Sequence, residues 1–143
     1  MSYKKILAVD FDGVIHSYSS GWKGATNIPD APVFGAIEWL DEFIITHCTP
    51  PDEFCAMAPE GEWELHIFSS RSRYWGGRKA MKRWLLKHGF EPRLMGAIKW
   101  PLFKPAATVQ LDDRAITFNG DFPAFAEILN FQPWNKKKNH VLI

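Results

Sequence analysis

Three observations in the amino-acid sequence predict an open α/β domain built on a mainly parallel sheet. The apolar run Ile6-Leu7-Ala8-Val9 reads as a strand buried on both faces, as the central strands of a parallel sheet are. Two further short strand-like runs, residues 64–68 and 108–111, follow at long intervals. Segments of helical periodicity lie between these runs, so parallel strands with right-handed crossovers, and helices on both faces in three layers, are expected. At 143 residues, 46% of them hydrophobic, residues 1–143 suit a single domain with a sizeable core.

In chain order, residues 4–10 form the first strand, which ends in Asp10-Phe11-Asp12-Gly13. Residues 13–29 carry the turn formers Ser17, Ser19, Ser20, Gly21 and Gly24. They predict a loop with a short hairpin, a flap beside the exit of the first strand. Asp30 is placed to cap a helix with Pro32 in its first turn. Val33, Ile37, Leu40 and Ile44 then recur at helical spacing to about His47. Residues 49–62, with Pro50, Pro51, Pro59 and Gly61, form a loop long enough to have its own role.

Residues 64–68 make the second strand, burying Leu65, Ile67 and Phe68 and ending at Ser69-Ser70-Arg71. Gly76 and Gly77 precede a second helix with Met81, Trp84, Leu85 and His88 on one face and Arg78, Lys79, Lys82 and Arg83 on the other, stopped by Gly89. A weak strand over 93–98, a loop over 99–105 and the strand 108–111 follow, the last ending in Asp112-Asp113. Residues 116–118 suggest an edge strand. Asp121 is placed to cap a last helix with Phe122, Phe125, Ile128 and Leu129 inward, and the polar residues 135–140 form a solvated tail.

Composition narrows the function classes. No apolar stretch approaches a membrane span, and the run after Lys4 and Lys5 is broken by Asp10, which argues against a signal peptide. Cys48 and Cys55 lack metal-ligand spacing, so two reduced thiols in a cytoplasmic protein are expected. A net charge of +1 gives no global field for nucleic acid.

The chemistry gathers at strand ends. Asp10 and Asp12, Ser69, and Asp112 with Asp113 each sit where a predicted strand stops, and the carboxyl ends of strands in such a sheet share one crevice. Lys104 lies just before the strand that delivers Asp112. Carboxylates ~4 Å apart repel by about 4 kcal/mol per pair at an effective dielectric near 20, unless a cation or a proton intervenes. Mg²⁺ is the hard ion that oxygen ligands of this kind hold. A carboxylate can attack phosphorus, a second can protonate the leaving oxygen, and serine and lysine can hold the transferring oxygens.

Asp10-Phe11-Asp12-Gly13-Val14-Ile15 resembles the first motif of the haloacid dehalogenase (HAD) superfamily of phosphatases, and the other three motifs follow in family order. Ser69 matches the second, Lys104 before Pro105 the third, and Asp112-Asp113 the fourth. The resemblance implies that Asp10 is the nucleophile and Asp12 the general acid/base, whose backbone carbonyl also ligates metal. It further implies that Ser69 and Lys104 bind phosphate, and that Asp112 and Asp113 complete the Mg²⁺ site. Ser70 can replace Ser69, and Lys99 can replace Lys104. Neither interval that holds a cap domain in the family has spare length here, so the chain resembles the capless branch. Ser69-Ser70-Arg71 and Leu111-Asp112-Asp113-Arg114 also resemble the phosphatase part of polynucleotide kinase-phosphatases, which adds Arg71 as a phosphate ligand; no P-loop pattern is present.

The substrate is left open between a phosphorylated small molecule and a nucleic-acid end; a non-catalytic binding module is the third alternative. Arg71, Arg73, Arg78, Lys79, Lys82 and Arg83 read either as a solvated face or as contacts to a phosphate backbone. Trp22, Trp75 and Trp100 are read as packing or as stacking platforms for bases. His16 in the flap is read as a contact to substrate or, more simply, as a surface histidine. A second subunit could roof the open crevice.

Overall fold

The computed structural model describes residues 4–48 and 61–136. Its sheet has the order β3-β2-β1-β4, and all pairs are parallel. The central strand β1 (Lys5–Val9) pairs along its length with β2 (Trp63–Ile67). On its other side β1 meets β4 (Val109–Leu111), and the two-residue β3 (Ile98–Lys99) flanks β2. The register puts Val109, Leu7, Leu65 and Ile98 in one row across the four strands, with Leu111, Val9 and Ile67 in the next row of the same face. Gln110, Ala8, His66 and Lys99 form the corresponding row on the opposite face.

This asymmetry decides where the core lies. The buried apolar cluster joins Leu7, Val9, Leu65, Ile67 and Ile98 to both long helices. Helix α1 (Ala36–His47) contributes Ile37, Leu40 and Ile44, and helix α2 (Gly77–Lys87) contributes Met81, Trp84 and Leu85. Both crossovers run in the same direction, from β1 to β2 and from β2 to β3, so right-handedness puts their helices on the same face. Helices on both faces were expected; among the described residues that expectation is met on one face only. The apolar run of β1 is accordingly not buried evenly, since Ile6 is half-buried while Leu7, Ala8 and Val9 are buried.

Several expected elements form differently. Asp30 does not cap α1. Gly35 occupies that position with φ 81°, a left-handed conformation that glycine adopts without strain. The Asp30 carboxylate instead accepts from the Ser20 backbone N–H (2.8 Å) and hydroxyl (2.6 Å). Residues 13–29 contain no hairpin: the Phe11 carbonyl gathers the N–H groups of Ile15 and His16, and the flap meets the rest of the chain at isolated bridges, including His16 to Pro32. Where a weak strand was expected, a 3₁₀ turn runs over Pro92–Ala97, with Glu91 capping it through the Arg93 N–H.

The C-terminal part departs furthest. Residues 116–118 form no strand, and helix α3 (Phe125–Leu129) is short, starts after Ala124 rather than Asp121, and buries none of its side chains. Phe122, Phe125 and Leu129, expected inward, are exposed. The start of the expected solvated tail is docked: Trp134 donates its indole N–H to the Gly13 carbonyl (2.7 Å), and Asn135 donates to the Ser17 carbonyl (3.0 Å). The predicted loop over 49–62, except Gly61 and Glu62, and the tail beyond Lys136 lie outside the described residues.

Candidate active site

The parallel pairing of β1 with β4 brings the acidic groups together. Val9 is registered with Leu111, and the Asp10 N–H donates to the Leu111 carbonyl (2.9 Å), so Asp10 leaves β1 beside Asp112 as it leaves β4. Carboxylate oxygens of Asp10, Asp112 and Asp113 all lie within 4.8 Å of one another. Gly13 makes room for this: a Cβ there would fall on the Asp113 carboxylate, and its φ of 86° disfavours other residues. Asp112 also accepts from the Arg114 N–H (2.9 Å), which fixes the turn after β4.

The electrostatics of this cluster favour a cation. Both oxygens of Asp113 are buried and have no hydrogen-bond partner. Asp10 has its pKa pushed up to about 8, first by burial, then by the close approach of the Asp113 carboxylate and by the charges of Asp112 and Asp113. At neutral pH the metal-free protein therefore keeps a proton on Asp10. Three converging carboxylates, with both oxygens of Asp113 unpartnered, fit a hard divalent cation such as Mg²⁺, which takes oxygen ligands.

These groups border a cleft of about 470 Å³ lined by Asp10, Asp12, Ser69, Ser70 and Lys104, together with Tyr18, Asp112 and Arg114. The hydrogen bond from the Phe68 N–H to the Val9 carbonyl (3.2 Å) keeps the exit of β2 against that of β1, which delivers Ser69. Ser69 is buried, and its oxygen accepts from the Arg71 N–H (3.1 Å), leaving its own O–H free to donate; Ser70 is exposed in the same wall. Lys104 borders the cleft, whereas Lys99 sits on β3, exposed and away from it.

Asp12 and Arg71 take other positions. Arg71 is 0% exposed and does not line the cleft. Its Nε donates to both Asp12 oxygens (2.9 and 3.1 Å), and one terminal nitrogen donates to the carbonyls of Gly24 (2.8 Å), Ala25 (3.1 Å) and Asn27 (3.1 Å). The Trp22 ring covers the guanidinium at 4.9 Å. Expected as a phosphate ligand, Arg71 ties the flap to Asp12 through Nε and one terminal nitrogen, and its other terminal nitrogen is buried without a hydrogen-bond partner. His16 is likewise buried rather than on the surface. Its Nε2 accepts the Asp30 backbone N–H (3.1 Å), so Nδ1 carries the proton and donates to Asp12 (2.9 Å).

The sequence reading missed Tyr18 as a cleft residue. Among the described residues it is the one non-glycine position with positive φ, 61°, a conformation that costs ~1–3 kcal/mol and collects at functional sites. Burial and the Asp12 charge raise its phenol pKa, so it lines the cleft as a hydrogen-bond donor. Nothing in the run Ser17-Tyr18-Ser19 signals that backbone conformation. Arg114 was quoted only as part of a motif; its place two residues past Asp112, beyond a strand end, is the signal that could have found it.

Among the described residues no helix is long and apolar enough to cross a membrane. No family model, curated protein or solved structure matches the chain.

Proposed function

We propose that the chain is a Mg²⁺-dependent phosphohydrolase that cleaves a phosphomonoester through an aspartyl-phosphate on Asp10, and that it is a capless member of the HAD superfamily working in the cytoplasm. The observation that carries this reading is the convergence of Asp10, Asp112 and Asp113 with Ser69 and Lys104 around one cleft, from segments far apart in the chain. A binding module would have no evident use for a nucleophile, an acid/base pair and phosphate-holding groups in one place.

Asp10, Asp112 and Asp113 would hold the cation, which supplies charge neutralisation for the carboxylates and the incoming phosphate. An Asp10 oxygen, once deprotonated, attacks phosphorus as the bond to the leaving oxygen breaks. Asp12, once it has taken up a proton, gives it to that leaving oxygen, then takes one from the water that hydrolyses the aspartyl-phosphate, so that Asp10 returns as the carboxylate and Asp12 as the acid. Arg71 and His16 fix the Asp12 carboxylate in one orientation for both transfers. The Ser69 hydroxyl, the Lys104 ammonium and Arg114 are available to the phosphate oxygens.

The test is to trap the intermediate. Acid quenching during turnover of a radiolabelled phosphomonoester leaves phosphate on the protein that hydroxylamine removes, and Asp10→Asn abolishes both label and turnover. Turnover without a trapped label, or a label that survives in Asp10→Asn, overturns the role of Asp10.

A further inference from the structure

A second concavity of about 1220 Å³ lies beside the candidate active site, larger than the ~300–1,000 Å³ of ordinary small-molecule pockets. Arg73, Arg78, Lys79, Lys82, Arg83 and Lys87 line it, and no acidic residue does. Among the described residues none of the six forms an ion pair. For a chain of net charge +1 this is a strong local excess.

The helix accepts a cost to carry these charges. Arg78 with Lys82, Lys79 with Arg83, and Arg83 with Lys87 are like-charge pairs four residues apart, each unfavourable by roughly 0.2–0.5 kcal/mol. Arg78 and Lys79 also sit in the first turn, where the helix dipole disfavours cations, and α2 has no acidic residue there. A merely solvated face is better served by mixed charges. From Arg78 to Lys87 the cations span ~14 Å of helix, more than one phosphate can engage.

Aromatic rings share the concavity: Tyr74 is half exposed and Trp75 is 98% exposed. The Arg73 guanidinium lies over the Tyr74 ring and Trp22 packs beside it, whereas Trp75 is open to a ligand. Basic side chains interleaved with an open ring are what single-stranded nucleic acid uses, its phosphates on the cations and its bases on the ring. Polyphosphate has no partner for the rings, and a flat lipid surface does not fill a concavity. The concavity also neighbours the acidic cleft across one turn of chain. The 3₁₀ turn Ser70–Arg73 has Ser70 in the cleft and Ser72 and Arg73 in the groove, ~4 Å apart along the turn. Lys104 and Leu102 are divided between the two in the same way.

We infer that this groove binds a single strand of nucleic acid and leads its terminal phosphate into the Asp10 cleft, a substrate assignment that rests on the phosphohydrolase reading. A strand lying across Arg78, Lys82 and Trp75 reaches the acidic cleft past the Ser70–Arg73 turn.

The test uses the full chain and a fluorescent single-stranded oligonucleotide with a terminal phosphate, its binding followed by anisotropy from low to high salt. Affinity falls steeply with salt, and the double change Lys82→Ala with Arg83→Ala lowers the log–log salt slope by about 1.4. Trp75→Ala weakens binding about fivefold or more at fixed salt. In both variants kcat/KM for the oligonucleotide drops at least tenfold relative to that for an aryl phosphate. Wild-type protein that hydrolyses an aryl phosphate yet binds the oligonucleotide without salt dependence, or indifferently to these changes, overturns the groove and leaves the phosphohydrolase reading intact. Equal binding of inorganic polyphosphate or anionic vesicles, unaffected by Trp75→Ala, overturns the nucleic-acid assignment. Tight, salt-dependent strand binding with no hydrolysis of any phosphoester upholds the groove and refutes the phosphohydrolase reading.

Discussion

Replacing Asp10 by Asn removes one carboxyl from the crowded cluster, and the structure sets the size and sign of the effect on the metal-free protein. Asp10 has a folded-state pKa of about 8 against 3.8 for the free side chain. Below pH ~4 both folded and unfolded chains hold the proton, and no stability is lost on this account. Between the two values the unfolded chain ionises and the folded one does not, so stability falls by about 1.4 kcal/mol per pH unit. The loss is about 4 kcal/mol by pH 7 and levels near 6 kcal/mol above pH 8. Direct repulsion gives the same order: two charges at the 4.8 Å limit cost about 3 kcal/mol each at an effective dielectric near 20, less for the exposed Asp112. Urea denaturation in EDTA from pH 5 to 9, wild type against Asp10→Asn, measures this. Asp30 and Glu91, whose pKa values are lowered, contribute equally to both proteins and cancel in the difference. The stability difference in favour of the variant grows with pH up to about 8. Mg²⁺ narrows it by stabilising the wild type, increasingly so as pH rises. Parallel stability–pH curves for the two proteins refute the strained-cluster account.

Three other changes test the supports of the site. Arg71→Ala strands the buried Asp12 carboxylate and three flap carbonyls, costing about 3–5 kcal/mol in urea denaturation; Arg71→Lys recovers little, since one ammonium cannot span those partners, and a cost below 1 kcal/mol contradicts the assignment. His16→Phe leaves the Asp30 N–H without its acceptor and removes one of the two donors to an Asp12 oxygen, lowering stability by about 1–3 kcal/mol, whereas a neutral result denies the ring its two hydrogen bonds. Gly13→Ala drives a Cβ onto the Asp113 carboxylate, so calorimetry shows Mg²⁺ affinity reduced at least tenfold; unchanged affinity removes Asp113 from the metal site.

The sheet and both long helices were legible because their signals are local and strong. The run Ile6–Val9, the Ile37/Leu40/Ile44 spacing and the Met81/Trp84/Leu85 face report burial directly, and they do bury a common core. The cleft members Asp10, Ser69, Lys104 and Asp112 were legible because strand ends in a parallel sheet meet at one edge. What failed depended on long-range partners. Arg71 looked like a phosphate ligand because its sequence neighbours are serines, but the carbonyls that capture it come from the flap, some 45 residues earlier. His16 looked exposed because polar residues surround it in sequence, while Phe11 and Trp84 surround its ring in space. The inward helix expected over 121–129 was drawn from apolar spacing alone, and no described sheet face receives it.

The central claim is tested most directly by phosphate release from a mixed panel: an aryl phosphate, mononucleotides, sugar phosphates and a 3′-phosphorylated oligonucleotide. Each is run with Mg²⁺, with EDTA, and with Asp10→Asn in place of the wild type. The account predicts release from at least one phosphomonoester that EDTA and the variant both abolish, with the folded variant still binding substrate. Release that persists in Asp10→Asn, or none from any substrate by folded protein shown to bind Mg²⁺, contradicts it.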